Sequence, residues 1–367
     1  MKYYIIAGEA SGDLHASNLI KEIIKLEPNA DIRAWGGDKM QNAGANVVKH
    51  FKDLAFMGFY EVLINLRTIL KNISFCKKDI LEFSPDKIIF VDYPGFNMRI
   101  AKWSKKYKFQ TIYYIAPQLW AWNEKRIKKI KKYIDSLYVI LPFEKEFFET
   151  KHKYPVKFLG HPLLDSISNF KKNYDSSSEQ IITNKKAVIA ILPGSRKQEI
   201  KKILNTVIKI VDYFPDHQFI VAGAPNIELS YYKSILKNKR IKVIENKTYE
   251  ILSISTAAIV TSGTATLETA LFKVPQVVCY KSSYFSYFIA KLIVNIKYIS
   301  LVNLIMDQQI VKELIQQDCN KDKIRYELEK ILDLNNKKSL QIKYDELTSI
   351  LGNSGTSKRV ALDIIKK

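Results

Sequence analysis

Cysteine is scarce in this chain: Cys76, Cys279 and Cys319 stand far apart, with no Cys-x-x-Cys spacing. That argues against a disulfide framework or a zinc site and suits a reducing compartment. Long apolar runs are missing too. Nothing approaches the roughly 18 uninterrupted apolar residues that a spanning helix needs. The opening run Met1-Lys2-Tyr3-Tyr4-Ile5-Ile6-Ala7 is cut at once by Gly8-Glu9, so it makes no signal-peptide core. A cytoplasmic protein is expected. The sequence also lacks an Asp-x-Asp pair, and His15, His50, His152, His161 and His217 are dispersed, so metal-bridged chemistry is disfavoured and no metal or cofactor site is expected. No G-x-G-x-x-G fingerprint comes after the first apolar run, which weakens a nicotinamide reading.

Acidic residues are in short supply. Against 58 Lys and Arg there are 37 Asp and Glu, a formal net charge of +21. Such an excess calls for an anionic partner: nucleic acid, an acidic membrane or a phosphorylated substrate. It is densest over residues 101–132, where Lys102, Lys105, Lys106, Lys108, Lys125, Arg126, Lys128, Lys129, Lys131 and Lys132 face the single acid Glu124. A plain lysine-rich solvated surface accounts for it equally well. Charge alone decides nothing here.

At 367 residues the chain is long for one core and comfortable for two. Residues 1–7 read as a buried strand, 13–26 as a helix and 31–35 as a strand. The alternation continues with strands at 87–91, 110–115, 137–141 and 156–159 and a helix at 98–107. Residues 168–186 are polar and read as a linker. After it the pattern restarts, with strands at 187–192, 218–222, 242–244, 257–260 and 276–280 and helices at 198–213 and 266–272. Strands alternating with helices imply parallel sheets covered on both faces. The expectation is α/β, with two Rossmann-like domains facing a central cleft: residues 1–167, a linker at 168–186, and residues 187–350. A closing helix within 351–367 is free to pack back on the first half.

Ligands of open parallel sheets bind beyond the carboxyl ends of strands, which directs attention to the turn after each strand. Gly8-Glu9-Ala10-Ser11-Gly12-Asp13 places Glu9 in a turn at a helix N-terminus, with Ser11 or Asp13 as a plain cap the simpler alternative. Asp92 ends a buried strand and precedes Tyr93-Pro94-Gly95; it is the candidate general base, unless it serves only as a turn residue. Ala116-Pro117-Gln118-Leu119-Trp120-Ala121-Trp122 suits either a ligand wall or a hydrophobic plug. In the second half, Pro193-Gly194-Ser195-Arg196 offers backbone N–H groups, a hydroxyl and a guanidinium before a helix. Ser262-Gly263-Thr264-Ala265-Thr266 offers a second cradle, with Glu268 in the first helical turn to accept from ribose hydroxyls. Two anion sites on neighbouring strands fit a nucleotide diphosphate. His161 in Gly160-His161-Pro162 reads as a packed structural histidine. The apolar stretch 51–75, with Ala55-Phe56-Met57-Gly58-Phe59, is either core or a patch for a lipid surface.

Taken together, these segments resemble lipid-A-disaccharide synthases over nearly the whole chain. The resemblance rests on Gly8–Asp13, Met57-Gly58 with Glu61-Val62-Leu63, Pro117–Trp122, Leu141-Pro142-Phe143-Glu144, Gly160-His161-Pro162, Leu192–Arg196, Ser262–Glu268, Ser300-Leu301-Val302-Asn303 and Lys312-Glu313-Leu314 in that order. It implies a metal-independent, inverting glycosyltransferase of the GT-B architecture in lipid A (lipopolysaccharide) biosynthesis. The donor would be UDP-2,3-diacylglucosamine and the acceptor 2,3-diacylglucosamine 1-phosphate (lipid X), giving a β-1,6-linked disaccharide 1-phosphate and UDP. It implies no cofactor, peripheral contact with the cytoplasmic face of the inner membrane, and no nucleic acid; a homodimer is compatible with it. It carries catalytic roles to Asp92 and Glu9 and donor binding to Ser195, Arg196, Gly263, Thr264, Ala265 and Glu268. Asn303 and Met57 are carried over on the acceptor side or nearby. Many relatives read Asp-x-Pro-Asp-Phe-Asn, whereas Gly95 stands at the second Asp here, and Val302 stands where many have Pro. Alternatives are a UDP-sugar 2-epimerase, another glycosyltransferase on this fold, or a basic module binding membrane or nucleic acid.

Overall fold

The computed structural model describes residues 1–54, 66–174, 186–237, 240–283, 287–288 and 296–366. Two parallel sheets organise the chain. Strands β1 (Lys2–Ala7), β2 (Asp31–Gly36), β3 (Asn46–His50), β4 (Lys87–Val91), β5 (Gln110–Tyr114), β6 (Ser136–Val139) and β7 (Lys157–Phe158) form the first, in the order β3-β2-β1-β4-β5-β6-β7. Strands β8 (Ala187–Leu192), β9 (His217–Gly223), β10 (Ile241–Glu245), β11 (Ser255–Thr261), β12 (Gln276–Tyr280) and β13 (Lys312–Ile315) form the second, ordered β10-β9-β8-β11-β12-β13.

The central strands are almost wholly apolar because both of their faces are buried. Along β1 and β4, Tyr4, Ile6, Ile88 and Phe90 enter one core, while Tyr3, Ile5, Ala7, Ile89 and Val91 enter the other. The period-2 alternation that would mark a half-exposed strand is therefore hidden in the sequence. In the second sheet, Ile189 and Ile191 face one cluster and Val188, Ala190 and Leu192 the opposite one.

The chain divides into two units, Met1–Ser168 with Leu351–Lys367, and Asn169–Ile350. Helix Thr356–Ile365 belongs to the first, burying Val360, Ala361 and Ile364 with Leu19, Ile20 and Ile23 of helix Ala10–Leu26. Its N-terminus is capped by Asp165, whose carboxylate accepts the N–H groups of Gly355, Thr356 (3.1 Å) and Ser357 (2.7 Å). Asp13 does the same for helix Asp38–Asn42, accepting from Gly37 (2.7 Å), Met40 (3.1 Å) and Lys39 (3.2 Å). An anion at the positive end of a helix, taking up N–H groups that have no intrahelical partner, stabilises both junctions.

Several boundaries differ from the sequence reading. The edge strands β3 and β13 were not expected, being short and only partly buried. The expected helix 198–213 is helix Lys197–Val207, with a separate 3-10 turn at Val211–Tyr213. Helix Leu163–Asn173 runs into the segment read as a linker, and residues 175–185 of that segment lie outside the described residues. So do residues 55–65, including Met57 and the apolar run around it.

Candidate active site

Strand order locates the crevice in each unit. In the first, the chain runs outward from β1 through β2 to β3, then returns to β4 on the other side of β1, so the order reverses between β1 and β4. In the second it reverses between β8 and β11. Such switch points open a crevice beyond the carboxyl ends of the two strands. Gly8–Asp13 and Asp92 come directly after β1 and β4; Gly194–Arg196 and Ser262–Glu268 come after β8 and β11. All the chemistry-bearing turns read from sequence in these two pairs thus sit at switch points.

The β4 turn is strained. Asp92 and Tyr93 both have left-handed backbones, at φ 45° and 49°, an arrangement costing roughly 1–3 kcal/mol per residue. Main-chain clamps hold it: the Asp92 carbonyl accepts Asn97 Nδ2 at 2.7 Å and the Tyr113 hydroxyl at 2.6 Å, and the Asp92 N–H donates to the Tyr114 carbonyl at 3.3 Å. The Tyr93 ring stacks on Phe96 at 5.6 Å and covers Gly8, where a Cβ would fall 2.4 Å from the ring. Gly8 is thus required by close approach. The clamps engage the Asp92 main chain and leave its carboxylate for other work. Burial pushes that carboxyl above the ordinary range, partly offset by the Tyr93 N–H. Burial raises the Tyr93 phenol, and the charge of Glu9, half-buried at the β1 end, raises it further.

In the second unit, Gly194 (φ 97°) and Gly263 (φ 142°) turn the backbone in ways that favour glycine. A Cβ on Gly263 would meet nothing within 4 Å, which leaves open space at the start of helix Thr264–Leu271. The Thr266 N–H returns to the Gly263 carbonyl at 3.1 Å, while the N–H groups of Thr264 and Ala265 lead the helix, where an anion is favoured. Ser195 and Arg196 are exposed, and the guanidinium pairs with Glu199 at 3.2 Å. An exposed pair of that kind contributes about 0.3–0.5 kcal/mol, so a diphosphate can draw the guanidinium away. Glu268 accepts the Tyr249 hydroxyl at 3.1 Å, and burial raises its carboxyl. The helix opens at Thr264, earlier than expected, so Glu268 lies in its second turn rather than its first.

Among known proteins, residues 3–362 match the lipid-A-disaccharide synthetase family. The chain belongs to that family. A lipid-A-disaccharide synthase of Coxiella burnetii is 36% identical over 362 residues, covering 97% of this chain and 96% of that protein. One from Geobacter metallireducens is 34% identical over 365 residues, covering 97% and 94%. Membership makes this chain a glycosyltransferase of lipid A biosynthesis. Among solved structures, S. aureus MnaA with UDP superposes at TM-score 0.71 and 15% identity, over 99% of this chain and 95% of that one. The Methanocaldococcus jannaschii UDP-GlcNAc 2-epimerase, solved with UDP-GlcNAc and UDP, gives 0.69 at 14% identity over both full chains. At such identities these neighbours share the fold, the two Rossmann-like units of the GT-B architecture.

Of the residues the family resemblance singles out, Glu9 and Asp92 stand at adjacent strand ends in the first unit, and Ser195, Arg196, Gly263, Thr264, Ala265 and Glu268 do so in the second. Asn303 is different. It is fully buried, and its amide is saturated: Nδ2 donates to the Val311 carbonyl (2.9 Å) and Glu313 (2.8 Å), and Oδ1 accepts from Ile310 (2.8 Å) and Val311 (2.9 Å). Glu313 in turn accepts from Ile299 and Ser300, and the Ile299 carbonyl accepts the Ser262 hydroxyl at 2.7 Å. Asn303 therefore braces the Ser262–Gly263 cradle from behind. A Cβ at Gly95 would meet nothing within 4 Å, so packing does not exclude the second carboxylate that many relatives carry there. Sequence reasoning missed Asn97, Tyr113 and Tyr249, which hold Asp92 and Glu268; all three read as ordinary core and helix residues until the sheet brings them together.

Proposed function

We propose that the chain transfers 2,3-diacylglucosamine from UDP-2,3-diacylglucosamine to 2,3-diacylglucosamine 1-phosphate. Asp92 accepts the proton of the acceptor's 6-hydroxyl as that oxygen attacks the donor's anomeric carbon. The bond from that carbon to the diphosphate breaks, UDP leaves, and one displacement inverts the centre from α to β. Arg196, Ser195 and the N–H groups at Gly263 and Thr264 hold the diphosphate as charge builds on it, and Glu268 accepts from the ribose. Glu9 borders the Asp92 turn and orients the acceptor. The observation that carries this reading is the placement of both residue sets at the switch points of their sheets, in a chain that belongs to this family.

Mass spectrometry of products from the two substrates, with no added metal and with a chelator, tests it. A disaccharide 1-phosphate with stoichiometric UDP is expected in both; UDP-sugar epimerised at C2 with no disaccharide would overturn the assignment. Arg196→Ala should raise the donor KM by about 10–100-fold, because a charge-assisted bidentate contact is lost while the base is untouched. An unchanged donor KM would remove Arg196 from the cradle.

Peripheral contact with the cytoplasmic face of the inner membrane belongs to the same reading. Among the described residues no helix is long and apolar enough to cross a membrane. Support comes from the charge of +21, from Leu70 and Phe75 exposed on helix Leu66–Phe83, and from exposed Trp122 beside the lysine-rich helix Ile127–Tyr133. Sedimentation with vesicles containing anionic lipid should fall steeply as salt rises; salt-insensitive binding would argue for apolar insertion alone.

A further inference from the structure

Two sequence motifs, Pro117–Trp122 and Leu141–Glu144, play no part in the mechanism above, and the fold joins them. Glu144 is fully buried, in the short helix Pro142–Glu146 that comes after β6. Its carboxylate accepts three N–H groups: those of Leu141 (2.9 Å) and Ile140 (3.1 Å), and the indole Nε1 of Trp120 at 3.2 Å. Trp120 is half-buried in the turn after β5 and packs edge-on against Phe143, with ring centroids 4.9 Å apart at 88°. Its indole is therefore fixed both at its polar tip and along its ring. β4, β5 and β6 are consecutive neighbours in the sheet, so Asp92, Trp120 and Glu144 lie beyond three adjacent strand ends on the ligand side.

We propose that Glu144 is a positioning residue for the acceptor side: it fixes the Trp120 indole at the strand end next to that of Asp92. The inference rests on Asp92 being the base. Glu144 is pushed up to about 7, chiefly by burial, with its N–H donors opposing and the charge of Asp92 adding to the rise. Two carboxylates that feel each other titrate as a pair, and whichever is ionised raises the other's proton affinity. Among the described residues, Tyr93 borders Asp92, Tyr113 from β5 feels both Asp92 and Arg126, and Lys145 and Glu146 flank Glu144 on its own helix.

The test has a native-protein arm and a variant arm. In the unaltered protein, the Trp120 indole N–H resonance, assigned by its disappearance in Trp120→Phe, should titrate with a midpoint near 7. A resonance that is flat from roughly pH 5.5 to 8.5 overturns the proposal, and this arm holds even if Glu144 variants fail to fold. In Glu144→Gln the indole titration should vanish, and in Asp92→Asn its midpoint should move down, because the charge that helps to raise Glu144 is gone. Trp120→Phe should raise the acceptor KM by about 3–10-fold through lost orientation. An indole that still titrates near 7 in Glu144→Gln, or an unchanged acceptor KM in Trp120→Phe, would make Glu144 a cap and nothing more. If Asp92→Asn kept wild-type turnover, the base assignment would fail, while the indole titration would still report Glu144.

Discussion

Asp92→Asn is expected to lower kcat by roughly 10²–10⁴ while leaving UDP affinity near its wild-type value. The substitution is nearly isosteric, so the effect should be chemical. The clamps from Asn97, Tyr113 and Tyr114 act on the Asp92 main chain, and Asn tolerates a left-handed backbone better than most residues. The strained turn therefore survives the change. The proposed diphosphate cradle belongs to the other sheet, among Gly194–Arg196 and Gly263–Glu268. Steady-state UDP release and calorimetric UDP binding read the two quantities separately. Turnover within a few-fold of wild type would move the base to another group; weakened UDP binding would mean that the turn had been disturbed.

Acidification is expected to destabilise the first unit through two buried histidines. His15 on helix Ala10–Leu26 is lowered to about 4 and His161 to about 3, in both cases chiefly by burial, with His15 also depressing His161. His161 Nδ1 accepts the Leu163 N–H at 3.2 Å, a bond that needs that nitrogen unprotonated. In the unfolded chain both titrate near 6.5. Between that value and their folded values the unfolded state binds two more protons, so stability is full above about 6.5 and falls as pH drops. By pH 5 each histidine has cost about 2 kcal/mol. Glu144, raised to about 7, acts in the opposite sense over the same window, and Asp92, whose carboxyl is also raised, acts in that sense too. Denaturant titrations of the wild type and of His15→Asn/His161→Asn isolate the histidine contribution, since Asn Oδ1 can replace Nδ1 as acceptor. The double variant should lose about 4 kcal/mol less than wild type between pH 7.5 and pH 5. Parallel pH dependences in the two proteins would show that the histidines stay neutral on unfolding or are already charged when folded.

Much of the site was legible in the sequence because turn chemistry is local. Gly194 and Gly263 adopt backbones that few other residues tolerate, and a Gly-Ser-Arg or Gly-Thr run before a helix announces an anion site without help from the rest of the chain. Central strands were legible as continuous apolar runs, and helix Thr356–Ile365 by its period. Strands β3 and β13 were not, since short edge strands carry little apolar signal.

The sequence by itself determined the α/β alternation, the two glycine turns that precede helices in the second half, the aspartate at the end of β4 and, through the ordered motifs, the family. Tertiary structure alone decided which turns share a crevice, because strand order is set by how helices cover each sheet and leaves no local trace. It alone showed the Asn303 amide saturated by its neighbours, and joined Trp120 to Glu144 across 24 residues of chain. Side-chain partners of that kind depend on which strand ends become neighbours, and that is fixed only when the sheets assemble.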